Sequence, residues 1–326
     1  MKKSINMHIP TLKQLKYLVE LERHGHFGRA AEACFVTQST LSAGIQELEN
    51  LLGCKLVERT KRKVFFTELG NEIVLRATEL IRGAEDITTM ARHSTATLSG
   101  DLKLGAIPTI APYLLPQTLP RLREEYRDLK LYLVEDETSR LIDRLRTGTI
   151  DAALMAFPYN EASLEWVELA EDPFLLAHPI DHPIAMMDAA QRNHLLQSQA
   201  LQSQLILLEE GHCLRDHALA VCHMTKLKPG QTLQASSLLT LVHMVANGLG
   251  VTLLPALSCQ SSLLSGTNVA LTPLDGNSGH RKLGLAWRKS SVRKKDLKLL
   301  ADQLAQTAQK QINSFLTKML STNETG

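Results

Sequence analysis

The sequence has no run of about 18 or more apolar residues, the length a helix needs to span a bilayer. Its opening Met1-Lys2-Lys3 is not followed by the apolar stretch of a secretion signal. A cytoplasmic location is therefore expected, with no membrane partner. No CxxC or CxxH pair stands at zinc spacing, so no metal site is expected, and nothing points to an organic cofactor. The five cysteines, at 34, 54, 213, 222 and 259, are odd in number. In a reducing compartment that count argues against a structural disulfide framework. Net charge is also small, at +2 over 326 residues.

That small sum hides an asymmetry. Residues 1–66 carry 11 Lys and Arg against 6 Asp and Glu, a net of +5, which leaves −3 for the rest. A basic head on a faintly acidic body suits a polyanion partner for the head alone. With 44% hydrophobic and 21% charged residues, the chain reads as two or three globular domains.

Apolar residues recur at helical spacing over 11–25 (Leu12, Leu15, Leu18, Val19), with Gly25 as a stop. A short Ala-rich helix is expected over Gly28–Cys34. A third helix opens in Val36–Ser42, buries Leu41, Ile45, Leu48 and Leu52, and stops at Gly53. Two helices joined by a tight turn, the second polar at its start, form a helix-turn-helix. Residues 55–59 and 63–67 read as two short strands around Thr60-Lys61-Arg62, a basic wing. A long amphipathic helix is expected from Glu68 to Arg92, of the kind that pairs with a second copy of itself. Ser94–Gly100 reads as a linker. Beyond it, strand and helix alternate: strands at 102–107, 130–135, 150–155, 174–178, 205–208, 250–254 and 282–288, and helices at 113–125, 139–147, from 213, at 238–247 and at 294–315. The body is expected to be α/β, with a mainly parallel sheet and two subdomains around a cleft.

Ala30-Ala31, Thr37-Gln38-Ser39-Thr40-Leu41-Ser42, Ile45, Leu48-Glu49, Leu52-Gly53, Arg59 and Thr67-Glu68-Leu69-Gly70 resemble the winged helix-turn-helix of LysR-type regulators. Val57 departs from the Phe or Leu more usual there. The rest of the chain resembles the peroxide-sensing members of that family. Three motifs carry this: Ile107–Pro116 (IPTIAPYLLP), Leu208–Ala218 (LEEGHCLRDHA) with Cys222 nine residues after Cys213, and Gly250–Ala256 (GVTLLPA). A His-Phe pair expected near Thr232-Leu233 is absent. The resemblance implies a winged helix-turn-helix domain over 1–67, a linker and dimerisation helix over 68–93, and a regulatory domain of periplasmic-binding-protein type over 94–326. It also implies a homodimer or homotetramer that binds promoter DNA and contacts RNA polymerase.

Cys213 is placed in the first turn of a helix, where orphan N–H groups and the helix dipole favour an anion. With Arg215 nearby, its thiol is expected to be lowered in pKa and reactive. Oxidation gives a sulfenic acid that condenses with a second thiol, for which Cys222 is the candidate. If 213–222 is one helix, the two Cα atoms lie about 13.5 Å apart, whereas a disulfide needs roughly 4.4–6.8 Å. Disulfide formation would then require the helix to come apart. Thr109 is either a hydrogen-bonding group for a small oxygen ligand or a strand-end cap. From the resemblance, Thr109 and Thr138 hold peroxide beside the cysteine. Arg288 is also pointed to by the resemblance, to stabilise the thiolate or leaving hydroxide; a surface salt bridge is its plainer role. His212 shapes the pocket or is structural. Cys34, Cys54 and Cys259 are expected to be buried and structural.

On the DNA side, Gln38, Ser39 and Thr40 suit base or phosphate contacts and Ser42 phosphate. Arg59, Lys61, Arg62 and Lys63 suit the backbone. The expected function is a peroxide-responsive activator and not an enzyme. Two alternatives stand beside it: a regulator whose cleft binds a small metabolite, and a thiol peroxidase with a DNA-binding appendage.

Overall fold

The computed structural model describes residues 9–59, 64–92, 97–159, 161–188, 191, 198, 201, 203–222, 224, 233–260, 262–274 and 279–323. The chain divides into two compact units, Met1–Thr95 and Ala96–Gly326. Among the described residues no helix is long and apolar enough to cross a membrane.

The first unit holds α1 (Leu12–His24), α2 (Phe27–Ala33), α3 (Gln38–Leu52), the antiparallel pair β1 (Val57–Arg59) and β2 (Val64–Phe66), and α4 (Glu68–Arg92). Local chemistry sets these limits. Thr11 and Gln14 form a reciprocal capping box at the start of α1, and Thr37 Oγ1 accepts from Thr40 N at 3.2 Å to open α3. α1 and α3 end at Gly25 and Gly53, as expected. Leu18, Leu21, Leu41, Ile45 and Leu48 are fully buried and fuse the helices into one core. Thr67 explains its own motif: its hydroxyl donates to Lys55 O at 3.0 Å and accepts from Gly70 N at 2.9 Å. Gly70 lies so close to the Leu56 carbonyl that an added Cβ would sit 2.2 Å from that oxygen. The wing therefore closes onto α4 at a point only glycine fits.

The second unit is built on a seven-stranded sheet. Six strands follow the order β10 (Val269–Pro273), β6 (Leu164–Pro179), β11 (His280–Arg288), β5 (Ala152–Phe157), β3 (Gly100–Ala106), β4 (Leu129–Glu135), and β9 (Thr252–Pro255) also pairs with β6. Only β3–β4 and β3–β5 are parallel; β11 runs against β5 and β6, and β6 against β9 and β10. The expected mainly parallel sheet is thus a mixed one. The reason is β6, a 16-residue strand whose first half pairs with β11 and whose second half pairs with β9 and β10. It runs through both strand groups and reverses their sense. A small parallel pair, β7 (Leu207–Leu208) with β8 (Gln234–Ala235), lies apart.

The helices of this unit are α5 (Ala111–Glu125), α6 (Thr138–Thr147), α7 (Cys213–Val221), α8 (Leu238–Ala246), the single-turn α9 (Ala256–Cys259) and α10 (Lys294–Asn323). Asp296 Oδ1 accepts from Leu98 N at 3.1 Å, and Arg293 Nη2 donates to Ser99 O at 2.9 Å. The start of the last helix thereby anchors the start of the unit.

Candidate functional site

Three helix starts converge on one tight pocket. The turn after β3 supplies Ile107, Pro108 and Thr109, the head of α6 supplies Glu137 and Thr138, and the head of α7 supplies Gly211, His212 and Cys213. The positive dipole ends of α6 and α7 lie at this pocket and favour an anion there, whereas the first turn of α5 has its N–H groups paired with Ile107 O and Ile110 O or lacks one at Pro112. Gly211 has φ +102°, and a Cβ there would meet Glu137 Oε2 at 2.6 Å. Glycine lets the α6 and α7 heads close over the pocket.

Cys213 is the first residue of α7, with His212 as its N-cap. The residue is half-buried, and its thiol lies deep enough that burial pushes its pKa up. Arg281, the Thr138 side chain and the Ala156 backbone amide oppose that rise, while Asp216 adds to it. The expected net lowering is therefore corrected: burial outweighs the groups that favour the thiolate. The source of positive charge is corrected as well. Arg215 is buried and donates to Leu208 O at 3.0 Å. Arg288 is buried, not at the surface, and its Nη1 donates to Leu145 O and Ile150 O at 2.8 and 3.0 Å, at the tail of α6. Thr138 stands at the head of that helix, so Arg288 is placed away from the pocket.

The cation at Cys213 is Arg281, at the other end of β11 from Arg288. It is fully enclosed. Its Nη1 donates to Thr109 Oγ1 at 2.8 Å, its Nη2 to Thr109 O at 3.0 Å, and its Nε to Asp172 Oδ2 at 3.0 Å. Because Thr109 Oγ1 accepts from Arg281, its own O–H remains available as a donor. Thr138 Oγ1 is buried and, among the described residues, approaches only the Cys213 sulfur. Sequence reasoning missed Arg281, Asp172 and His217. His217 is one helical turn beyond Cys213, with a buried Nδ1 that has no partner among the described residues. Burial and the charge of Arg281 push it down to about 4, so it is neutral at physiological pH.

Cys222 is the buried C-cap of α7, and burial pushes its thiol up to about 11. All five cysteines are free. Cys259 is buried, its thiol donating to Pro255 O at 3.4 Å; Cys34 and Cys54 are half-buried against the first unit's core.

In the first unit Gln38, Ser39 and Thr40 are exposed on the first turn of α3, and Ser42 is half-buried. Phe35, in the turn before α3, has φ +54° and is 94% exposed. Arg59 ends β1. Lys61, Arg62 and Lys63 lie outside the described residues.

A DNA-binding head followed by a two-part α/β unit defines a class of ligand- or signal-responsive transcription regulators. Two family descriptions match the chain: "Bacterial regulatory helix-turn-helix protein, lysR family" over residues 12–71, and "LysR substrate binding domain" over residues 95–309. The chain belongs to the LysR family of DNA-binding transcription regulators, which are not enzymes. Among relatives, it is 40% identical over 91% of its length to the regulator EstR of Acinetobacter baylyi, covering 96% of that protein. It is 37% identical over 95% of its length to the dual regulator OxyR of Escherichia coli, covering 98% of it. Of solved structures, a full-length cysteine-to-aspartate variant of OxyR from Pseudomonas aeruginosa matches with a TM-score of 0.72 at 37% identity, covering 91% of this chain and 98% of that one. A peroxide-bound cysteine-to-serine mutant of Corynebacterium glutamicum OxyR matches with a TM-score of 0.61 at 32% identity, over 95% and 98%.

Proposed function

We propose that this chain is a hydrogen peroxide-responsive transcription regulator whose sensor is Cys213 and whose resolving thiol is Cys222. One observation carries the reading: the two cysteines stand at opposite ends of a single continuous helix, α7, Cys213 as its first residue and Cys222 as its C-cap, with Cys213 lining the pocket. The similarity to OxyR proteins supports it. Thr109 and Thr138 hold the peroxide, and His212 closes the pocket beside them. The Cys213 sulfur attacks one peroxide oxygen, the O–O bond breaks, and the departing hydroxide takes up the thiol proton as water. The sulfenic acid is then attacked by the Cys222 sulfur, releasing a second water and leaving a disulfide.

The second step cannot occur on the intact helix. Nine residues of rise separate the Cα atoms by about 13.5 Å, far beyond the roughly 4.4–6.8 Å a disulfide spans. Oxidation therefore drives α7 apart and changes the regulatory unit around it. The change is transmitted to DNA bound by Gln38, Ser39, Thr40 and Ser42 in the major groove and by Arg59, Lys61, Arg62 and Lys63 on the phosphates. Residues 1–67 form the DNA-binding segment, 68–93 the dimerisation helix and 94–326 the regulatory segment, and the working form is a cytoplasmic homodimer or homotetramer that engages RNA polymerase.

The test is Cys213→Ser. With the parent chain, peroxide is expected to change the length of the DNA footprint. In the variant the footprint should be identical with and without peroxide. A peroxide-dependent footprint that persists in Cys213→Ser would sink the sensing claim and favour a metabolite signal.

A further inference from the structure

Asp172 and Arg281 face each other directly across antiparallel strands β6 and β11. Side chains at such opposed positions leave the sheet on the same face. Both are fully enclosed, and Asp172 Oδ2 lies 3.0 Å from Nη2 as well as from Nε. The other carboxylate oxygen, Oδ1, accepts from Leu257 N at 2.9 Å, at the head of α9. The carboxylate is thus clamped from two sides, by a backbone amide and by the guanidinium. The guanidinium is in turn clamped between Asp172 and both oxygens of Thr109. Of its five N–H groups, one on Nη1 has no acceptor among the described residues.

A guanidinium is a planar fork, so fixing one edge fixes the direction of the other. With Asp172 holding the Nε/Nη2 edge, the Nη1 edge must meet the Thr109 hydroxyl. Asp172 sits where β6 passes from the strands paired with β11 to those paired with β9 and β10. The acid therefore ties together both strand groups and the turn that carries Thr109.

We propose that Asp172 is a positioning residue for the Cys213 site, acting through Arg281 to aim its charge at the sulfur and to orient the Thr109 hydroxyl as a donor. The proposal rests on the reading of Cys213 as the reactive thiol. A competing role for Asp172 is simple counter-charge, and the two roles predict opposite signs. Removing a mere counter-charge leaves Arg281 more positive and favours the thiolate. Removing a tether lets the guanidinium leave the sulfur and disfavours it.

The experiment uses the full-length reduced chain and its Asp172→Asn and Asp172→Glu variants. Iodoacetamide alkylation of Cys213 is followed by peptide mass spectrometry as a function of pH, and peroxide oxidation is followed in parallel. Asp172→Asn is expected to move the alkylation midpoint up by about one on the pH scale, a tenfold loss of thiolate at fixed pH, and to slow oxidation about tenfold. Asp172→Glu, which keeps a carboxylate for the fork, is expected to stay within about threefold of the parent on the same scale. A midpoint that falls or holds still in a folded Asp172→Asn chain would overturn the proposal. If that variant does not fold, Arg281→Lys replaces it, keeping the cation and losing the fork. Parent-like alkylation and oxidation in Arg281→Lys would equally overturn it. Alkylation needs no peroxide, so a parent chain that alkylates normally but ignores peroxide would count against the sensing function and not against the tether.

Discussion

Glu49 holds α3 to the wing through one buried carboxylate. Its Oε1 accepts from Leu56 N and Val57 N at 2.9 and 3.1 Å, and Oε2 meets Lys55 Nζ at 2.7 Å. Burial alone would raise its pKa, but Lys55 and the two amides hold it below the usual value of 4.5. Glu49→Ala leaves two buried donors unpaired and is expected to destabilise the first unit by about 2–6 kcal/mol, from ~1–3 kcal/mol for each, read as a lower denaturant midpoint. The pH dependence follows from the depressed pKa. The carboxylate's contribution is complete above about 4.5, and it disappears as pH falls through the folded value. The parent should lose stability in that acid window, and Glu49→Gln should lose less. Glu49 was visible in the sequence only as part of a motif, because its partners are backbone amides. Arg281 was hidden for another reason. Its role depends on register with a strand 109 residues away, and Arg288 on the same strand offered an equally plausible charge.

At the scale of elements, α7 is the switch in the proposed mechanism, so its stability should set the rate of the disulfide step. Ala220 is exposed within α7. Ala220→Gly costs a helix about 1 kcal/mol, equivalent to roughly fivefold in the population of the opened helix. Sulfenic acid formation occurs in the pocket at the helix head and should keep its parent rate. Disulfide formation should accelerate about fivefold, by the same arithmetic. Quenched-flow trapping of both species separates the two steps, and an unchanged second step would mean that helix opening is not what limits it. The helix itself was readable in advance, since Cys213–Val221 follows a glycine turn and carries strong helix formers. The sheet was not. The first half of β6 (Leu164-Glu165-Trp166-Val167-Glu168-Leu169) lacks a clean period of two, because its acids stand three residues apart, and this hid a strand whose charges are met by Lys282 and Lys294. Missing that half removed the strand that makes the sheet mixed.

For the whole molecule, the decisive issue is the number of copies that act together. Ile73, Leu80 and Ile87 repeat at intervals of seven along α4. Leu80 is 59% and Ile87 69% exposed, while Ile73 packs on the first unit's own core. Beside them, Leu12, Leu15, Leu52, Ala77 and Leu80 line an apolar groove. A period-seven row whose Leu80 and Ile87 stay exposed within their own unit suits a helix that pairs with a second copy. In the proposed homodimer, two α3 helices would read two half-sites a helical turn apart. Leu80→Asp should leave the unit's fold intact, because the side chain it replaces is largely solvent-facing. It should halve the mass seen by light scattering. It should also weaken binding to a two-half-site operator at least tenfold, since the second α3 then loses the high effective concentration that dimerisation supplies. If Leu80→Asp keeps the parent mass, α4 is not the pairing element, and assembly must be carried by the regulatory unit.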